Sequence, residues 1–330
     1  MKTLSSWSAS WSALLVSMGE RNPYGLAYAA ARTLLALGTL LTLWFNSDFV
    51  LFADPKIMHP RSYVEACNVY YLVCNGSFLW YRVITSAVLL AVISGYFPRL
   101  TGILHWWVAH TFFYIVTNVD GGDQINTILC FALVPLTLLD GRKNHWSLQP
   151  VRDTAHFYRN TVANGLMLLI RVQMSYVYLQ AATEKLKVKE WVDGTVLYYW
   201  FTHSIIGAPA WLMPLLRPLL VHSLPVLLLT WSVLLLEGAL FAALFVSKKN
   251  QRRLLVAGLV FHFGIVLVHG LVSFFFAMSA GLILYLLPAR QRTTSQVQAL
   301  GTRLRAYLAG RPAPAARPEP VRVPELARVA

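Results

Sequence analysis

Five ionisable side chains stand inside long apolar stretches of this sequence: Arg32, His110, Arg171, Glu237 and His262. A charge in a bilayer interior is costly, so such residues face the protein interior or a water-filled cavity. With a rise of ~1.5 Å per helical residue, all five fall at similar depth. One carboxylate, two guanidiniums and two imidazoles at one level suit two roles. They form ion pairs that fix helix packing, or they line a cavity in which a proton is moved. Arg171, Glu237 and His262 are the three expected to meet.

Arg171, Ser175, Tyr178, Ala182 and Lys185 recur at alternating spacings of four and three, so they share one helical face. Lys185 closes that stripe in the run Ala181-Ala182-Thr183-Glu184-Lys185-Leu186. A desolvated lysine is more readily kept as the free amine, the form that accepts a proton. The plainer reading is a lysine at a helix end whose ammonium snorkels to the membrane surface. Lys187 and Lys189 follow it, and like charges standing close would favour the amine further. Asp120-Gly121-Gly122-Asp123-Gln124 is a second polar feature. Its glycines permit a tight turn, which would present two carboxylates on the same side as Lys185.

The elements that must position these groups follow from composition. Hydrophobic residues make up 57% of the 330 and charged residues 13%, with a mean hydropathy of +0.54. Soluble domains carry about 25% charge, so this is the composition of an all-α, polytopic membrane bundle. Apolar runs near the ~20 residues that cross a bilayer lie at about 24–45, 78–97, 100–118, 124–139, 160–182, 226–246, 254–269 and 271–288. Eight spans put both termini on one side. With the N-terminus inside, the inner segments hold 19 Lys and Arg against 6 in the outer ones. That bias predicts N-in and C-in. It also accounts for most of the net charge of +14, which therefore does not call for nucleic acid.

Outside the 24–289 bundle, residues 1–23 place Trp7, Trp11, Leu14, Leu15 and Met18 on one face, as an interfacial helix does. A second interfacial stretch is expected in 191–217. Residues 290–330 are basic and rich in proline, and read as a cytoplasmic tail. Of three cysteines, Cys67 and Cys74 fall in the first outer loop, where a disulfide is expected. Cys130 lies among Leu and Phe as a core residue. No CxxC or zinc-ligand spacing is present, so no metal is expected.

The segment from Tyr178 to Tyr198, YLQAATEKLKVKEWVDGTVLY, resembles the HTTM domain of vitamin K-dependent γ-carboxylases and their bacterial relatives. Glu237, Phe261-His262 and Ser273-Phe274 continue that likeness. A closer resemblance is to the SdpB-type proteins of antimicrobial-peptide operons. It is carried by Asn22 to Leu26, Leu41 to Ser47, Ser94-Gly95-Tyr96 with Pro98-Arg99, Thr101 to Trp107, Asp120 to Gln124, and Leu139 to Trp146 (LDGRKNHW). The first resemblance implies that Lys185 is a base acting on a membrane hydroquinone; Arg171, Glu237 and His262 are expected to shape the cavity below it and complete the catalytic set. Asp120, Asp123, Gln124, Tyr178 and Trp191 are the expected substrate-binding residues. The second implies a protein of the cell membrane that matures a secreted toxin precursor peptide with an SdpA-like partner. The chain departs from the carboxylase in having Asp123 where that family has a histidine, and in having no large lumenal domain. A non-catalytic membrane chaperone for the precursor, or an immunity or transport protein, is the alternative.

Overall fold

The computed structural model of the chain describes residues 14–15, 17–19, 21–53, 60, 62–147 and 154–287. The expected amphipathic segment 1–23 is described only in part, with Trp7 and Trp11 outside it, and the tail 290–330 lies outside the described residues. Eight long helices carry the described fold: α1 (Leu26–Phe45), α2 (Phe78–Ser94), α3 (Pro98–Ile115), α4 (Gly121–Leu139), α5 (Thr154–Leu186), α6 (Ser223–Phe241), α7 (Lys248–His269) and α8 (Val272–Leu286). They coincide with the apolar runs read from the sequence. Five are long and apolar enough to cross a membrane: α1, α4, α5 (over His156–Leu186), α6 (extended to Phe245) and α7. Helices α2 and α8 are apolar but shorter. Helix α3 carries Arg99, His105 and His110, which dilute its hydropathy.

Local chemistry sets the ends. Ser77 and Ser247 accept backbone N–H groups from the first turns of α2 and α7, as N-cap side chains do. Pro98 opens α3, where its missing N–H costs nothing. Gly270, with φ of +71°, turns the chain from α7 into α8. The loops 95–97 and 140–147 meet through Phe97 N–H to the Lys143 carbonyl and His145 N–H to the Gly95 carbonyl, both 2.8 Å. We call this the first end of the bundle. At the second end lie 46–53, 62–77, 116–120 and 187–222. There the short helices Lys189–Val192, Val196–Thr202 and Met213–Leu220 leave Tyr199, Ile205, Trp211 and Leu215 exposed, as a stretch resting at a membrane surface would.

Helix α8 packs against α1, α4, α5 and α7, and the main core forms around it. It gathers Tyr28, Leu35, Leu129, Leu136, Met174 and Tyr285. A second core joins α1, α2 and α3 to the 46–77 loop through Leu43, Tyr70, Tyr81 and Phe112. This second core corrects the expected disulfide. Cys67 and Cys74 are free thiols, the first exposed and the second buried. The helical turn Val69–Leu72 between them directs Cys74 inward against the core and leaves Cys67 facing out.

A buried polar lock closes the first end. Asp140 Oδ1 and Oδ2 accept from Arg142 Nε and Nη2 at 2.8 and 2.7 Å, and these side chains are 0% and 3% exposed. Arg142 Nη1 donates to the Tyr24 and Ser147 carbonyls at 2.9 and 2.5 Å. Arg32, 1% exposed, donates to His145 Nδ1 at 2.8 Å and Thr101 Oγ1 at 3.0 Å. The Tyr28 ring lies 5.8 Å from both guanidiniums. Burial, then Arg32 and Arg142, push the His145 pKa down to about 3, so the imidazole is neutral and accepts from Arg32.

Candidate functional site

The stripe on α5 points into the bundle, and each polar member meets a different helix or carbonyl. Arg171 Nε donates to the Tyr285 carbonyl of α8 at 2.7 Å. Ser175 Oγ donates to the Phe241 carbonyl of α6 at 2.8 Å. The Tyr178 hydroxyl and His262 Nε2 of α7 share a hydrogen bond of 3.1 Å. Lys185 Nζ donates to Glu237 Oε1 and Oε2 of α6 at 2.7 and 2.9 Å.

Lys185 does not snorkel outward. Its Nζ lies 3.4 Å from the Ala181 carbonyl, one turn back along its own helix, as the N-terminal tilt of helical side chains allows. The carboxylate and that carbonyl take all three ammonium hydrogens. The Trp191 ring stands 5.3 Å from Nζ, within the range of a cation–π contact. Trp191 is anchored by Val196, Leu197 and Leu234. Gly194, with φ of +74°, lets the chain turn beneath it, where a side chain would collide with Leu227. The lysine side chain is 23% exposed and the glutamate 6%, so the pair is covered but not sealed.

His262 adds an unpaired atom. It is 2% exposed, and its Nδ1 is buried with no partner. In either tautomer one ring nitrogen bonds Tyr178 and the other is left without a partner. The Phe274 ring meets the imidazole edge-on, with centroids 5.4 Å apart. Tyr178 and Lys185 lie two turns apart on the same face of α5, which sets the two pairs in succession along that face. Lys185, Glu237, Tyr178 and His262 thus form one cluster drawn from α5, α6 and α7.

Several expectations need correction. Arg171 does not reach Glu237: it is held by Tyr285, whose own hydroxyl donates to the Leu240 carbonyl at 2.8 Å. The carboxylate's cation is Lys185. Arg32 belongs to the lock, and His110 lies against Trp106 and Tyr114. Lys187 pairs with Glu184 at 2.7 Å on the exposed side, away from the cluster. The Asp120 and Asp123 side chains are used first within their own turn. Each side chain accepts the other's backbone N–H, at 3.0 and 3.2 Å, in a capping box that starts α4. Asp123 is buried and Gln124 exposed. Gly122 is required there because Phe274 backbone occupies the place of a side chain, and Ser273 Oγ donates to Asp120 Oδ2 at 3.3 Å. The acidic turn therefore touches the site through Phe274 rather than through its charges. Phe274 is the residue that reading from spacing missed, although the Ser273-Phe274 match pointed to it.

Among the described residues no three His, Cys, Asp or Glu side chains gather as a metal centre would. The fold and site define an all-helical membrane protein with a partly buried lysine–carboxylate pair beside a tyrosine–histidine pair. The chain is 36% identical over 275 residues to sporulation-delaying protein SdpB of Bacillus subtilis (strain 168), covering 83% of this chain and 84% of the relative. It is 36% identical over 278 residues to the uncharacterized protein YitO of the same organism, covering 82% and 87%. The chain belongs to the SdpB family. No family model matches it, and no solved structure does.

Proposed function

We propose that this protein serves toxin production by maturing or modifying a secreted antimicrobial peptide at the outer face of the cell membrane, with Lys185 as a base. The observation that carries this is the inward-bent Lys185, paired with Glu237 and covered by Trp191. The SdpB relative is named for delaying sporulation, and the resemblance to SdpB-type proteins implies a toxin precursor as substrate and an SdpA-like protein as partner. The chain crosses the membrane eight times with both termini inside, on the charge bias of its loops. Labelling of single cysteines placed at 56 and 250 tests this, and modification of position 250 from outside intact cells overturns the orientation.

The chemistry follows from the pair. Glu237 takes a proton from Nζ, and the free amine accepts one from a substrate hydroxyl. Glu237 keeps the proton it took, and the re-formed ammonium balances the new negative charge on the substrate oxygen. The residues fit a membrane hydroquinone, as the likeness to HTTM carboxylases implies: His262 Nδ1 is an unpaired polar atom, and Trp191 and Phe274 offer aromatic faces. Bound there, a hydroquinone would supply acidic hydroxyls and a pair of electrons. Tyr178 and His262 would orient it, and Lys185 would take its proton at Nζ.

The test is intact-mass comparison of the mature peptide made with wild type and with Lys185→Arg. Arginine keeps the contact to Glu237 but stays charged near neutral pH. Lys185→Arg should leave protein levels unchanged and abolish the mass change, while Lys187→Arg should do neither. A mature peptide of unaltered mass in the wild type would replace the enzyme by a chaperone for the precursor.

A further inference from the structure

Among the described residues, the first end carries more fixed cations than its buried carboxylate, Asp140, can hold. Asp140 is fully engaged by Arg142. Beside it, Gly141 is exposed. Where a Cβ on Gly141 would sit, Arg159 Nη1 from α5 lies 3.0 Å away and Arg99 Nη2 from the start of α3 lies 3.5 Å away. The two guanidiniums are therefore no more than about 6.5 Å apart. Neither forms an ion pair among the described residues, and Arg159 Nε is buried without any partner. Like charges that close, one of them partly desolvated, repel one another unless an anion lies between them. A tetrahedral phosphate fits, since its oxygens accept the forked N–H groups of two guanidiniums at once. Glycine at 141 leaves the space for it.

The surroundings narrow the source. Phe97 and Leu100 flank Arg99, Tyr158 precedes Arg159, and all three are about three-fifths exposed. Cations set among bare apolar side chains at the end of a membrane bundle match a headgroup with its chains attached, not a free ion. We propose that Arg99 and Arg159, opened by Gly141, bind the phosphate of an anionic phospholipid. The site is separate from the Lys185 cluster and does not depend on the reading given for it.

The test uses the full chain, purified in detergent, stripped of lipid, and titrated with dioctanoyl phosphatidylglycerol under native mass spectrometry. Wild type should retain phosphatidylglycerol in clear preference to the phosphatidylcholine of the same chain length. Arg159→Gln should weaken retention about fivefold, the worth of one cation at a lipid surface. Gly141→Asp should abolish it by placing a carboxylate between the arginines, while raising the lipid-free Tm. Arg99→Gln, at an exposed position, gives the same reading should Gly141→Asp not fold. Equal retention of the two lipids, or equal retention by wild type and variants, overturns the proposal. Displacement of the lipid by millimolar inorganic phosphate would show that the phosphate group alone is recognised, and would overturn the lipid assignment.

Discussion

Two buried ion pairs in this molecule use the same charges for different ends. Asp140 and Arg142 are two residues apart in one loop, are almost wholly enclosed, and have their remaining polar atoms bonded to Tyr24 and Ser147. Lys185 and Glu237 are 52 residues apart on facing helices. Their lysine is partly exposed, and their neighbour His262 has an atom with no partner. A closed, fully bonded pair can only hold the loops together. A pair with one reachable member can exchange a proton with something that arrives. Burial of charge alone does not distinguish these cases, nor does an unpaired ring nitrogen, since His145 Nε2 beside the first pair has no partner either; the access of solvent to one member does.

The contrast is tested most severely by removing one carboxylate at a time. Asp140→Asn leaves Arg142 enclosed without its counter-ion and should destabilise the fold by about 3–5 kcal/mol, seen as loss of detergent-stable protein. Glu237→Gln keeps a hydrogen-bond acceptor for a lysine that can turn toward solvent, so about 1–3 kcal/mol is expected, together with loss of peptide maturation. If Glu237→Gln proves as damaging to folding as Asp140→Asn, the second pair is a structural lock like the first. The double change Lys185→Met with Glu237→Leu should recover the stability lost in Glu237→Gln and still be inactive.

A smaller effect lies in pH. His145 is held neutral, with its pKa lowered to about 3 from an unfolded value of about 6.5. The unfolded chain then binds the extra proton first, so stability is lost as pH falls from about 6.5 towards 3. Between pH 6.5 and 5, His145→Asn should show a flatter stability profile than wild type. A parallel profile would mean that His145 is not the group responsible. The least effect is expected from Lys187→Met, which breaks only an exposed pair with Glu184 and should shift stability by no more than about 0.5 kcal/mol.

Helix positions were legible because the apolar runs are long and the turn residues between them are strong signals. The inward face of α5 was legible too, from the four-and-three spacing ending at Lys185. The vertical offset between helices was not. Arg171 and Glu237 seemed level when depth was counted from loop charges, yet Lys185 reaches back a turn and takes the carboxylate instead. The acidic turn misled for another reason: Asp120 and Asp123 stand at N-cap and third-residue spacing, and that local use of both side chains outweighs display to a substrate. For Cys67 and Cys74, spacing said that a loop could close but nothing about which way each thiol points. Arg99 and Arg159 approach one another across Gly141 of the 140–147 loop, which no local pattern announces.

Helix α8 is the shortest of the eight and the last to be made, yet α1, α4, α5 and α7 all rest on it. Its residues Ala277–Leu282 are buried without a break. The order of synthesis therefore runs opposite to the order of burial: the first helix leaves the ribosome some 250 residues before the surface it needs exists. Until then α1 and α4 must be sheltered by lipid or by an insertion factor, and their polar Asn126 and Thr39, bonded to each other at 2.9 Å in the finished fold, give the waiting helices a reason to stay side by side. Ending the chain after Gly270 would remove only about 60 residues, but it would leave the other helices arranged around a vacancy.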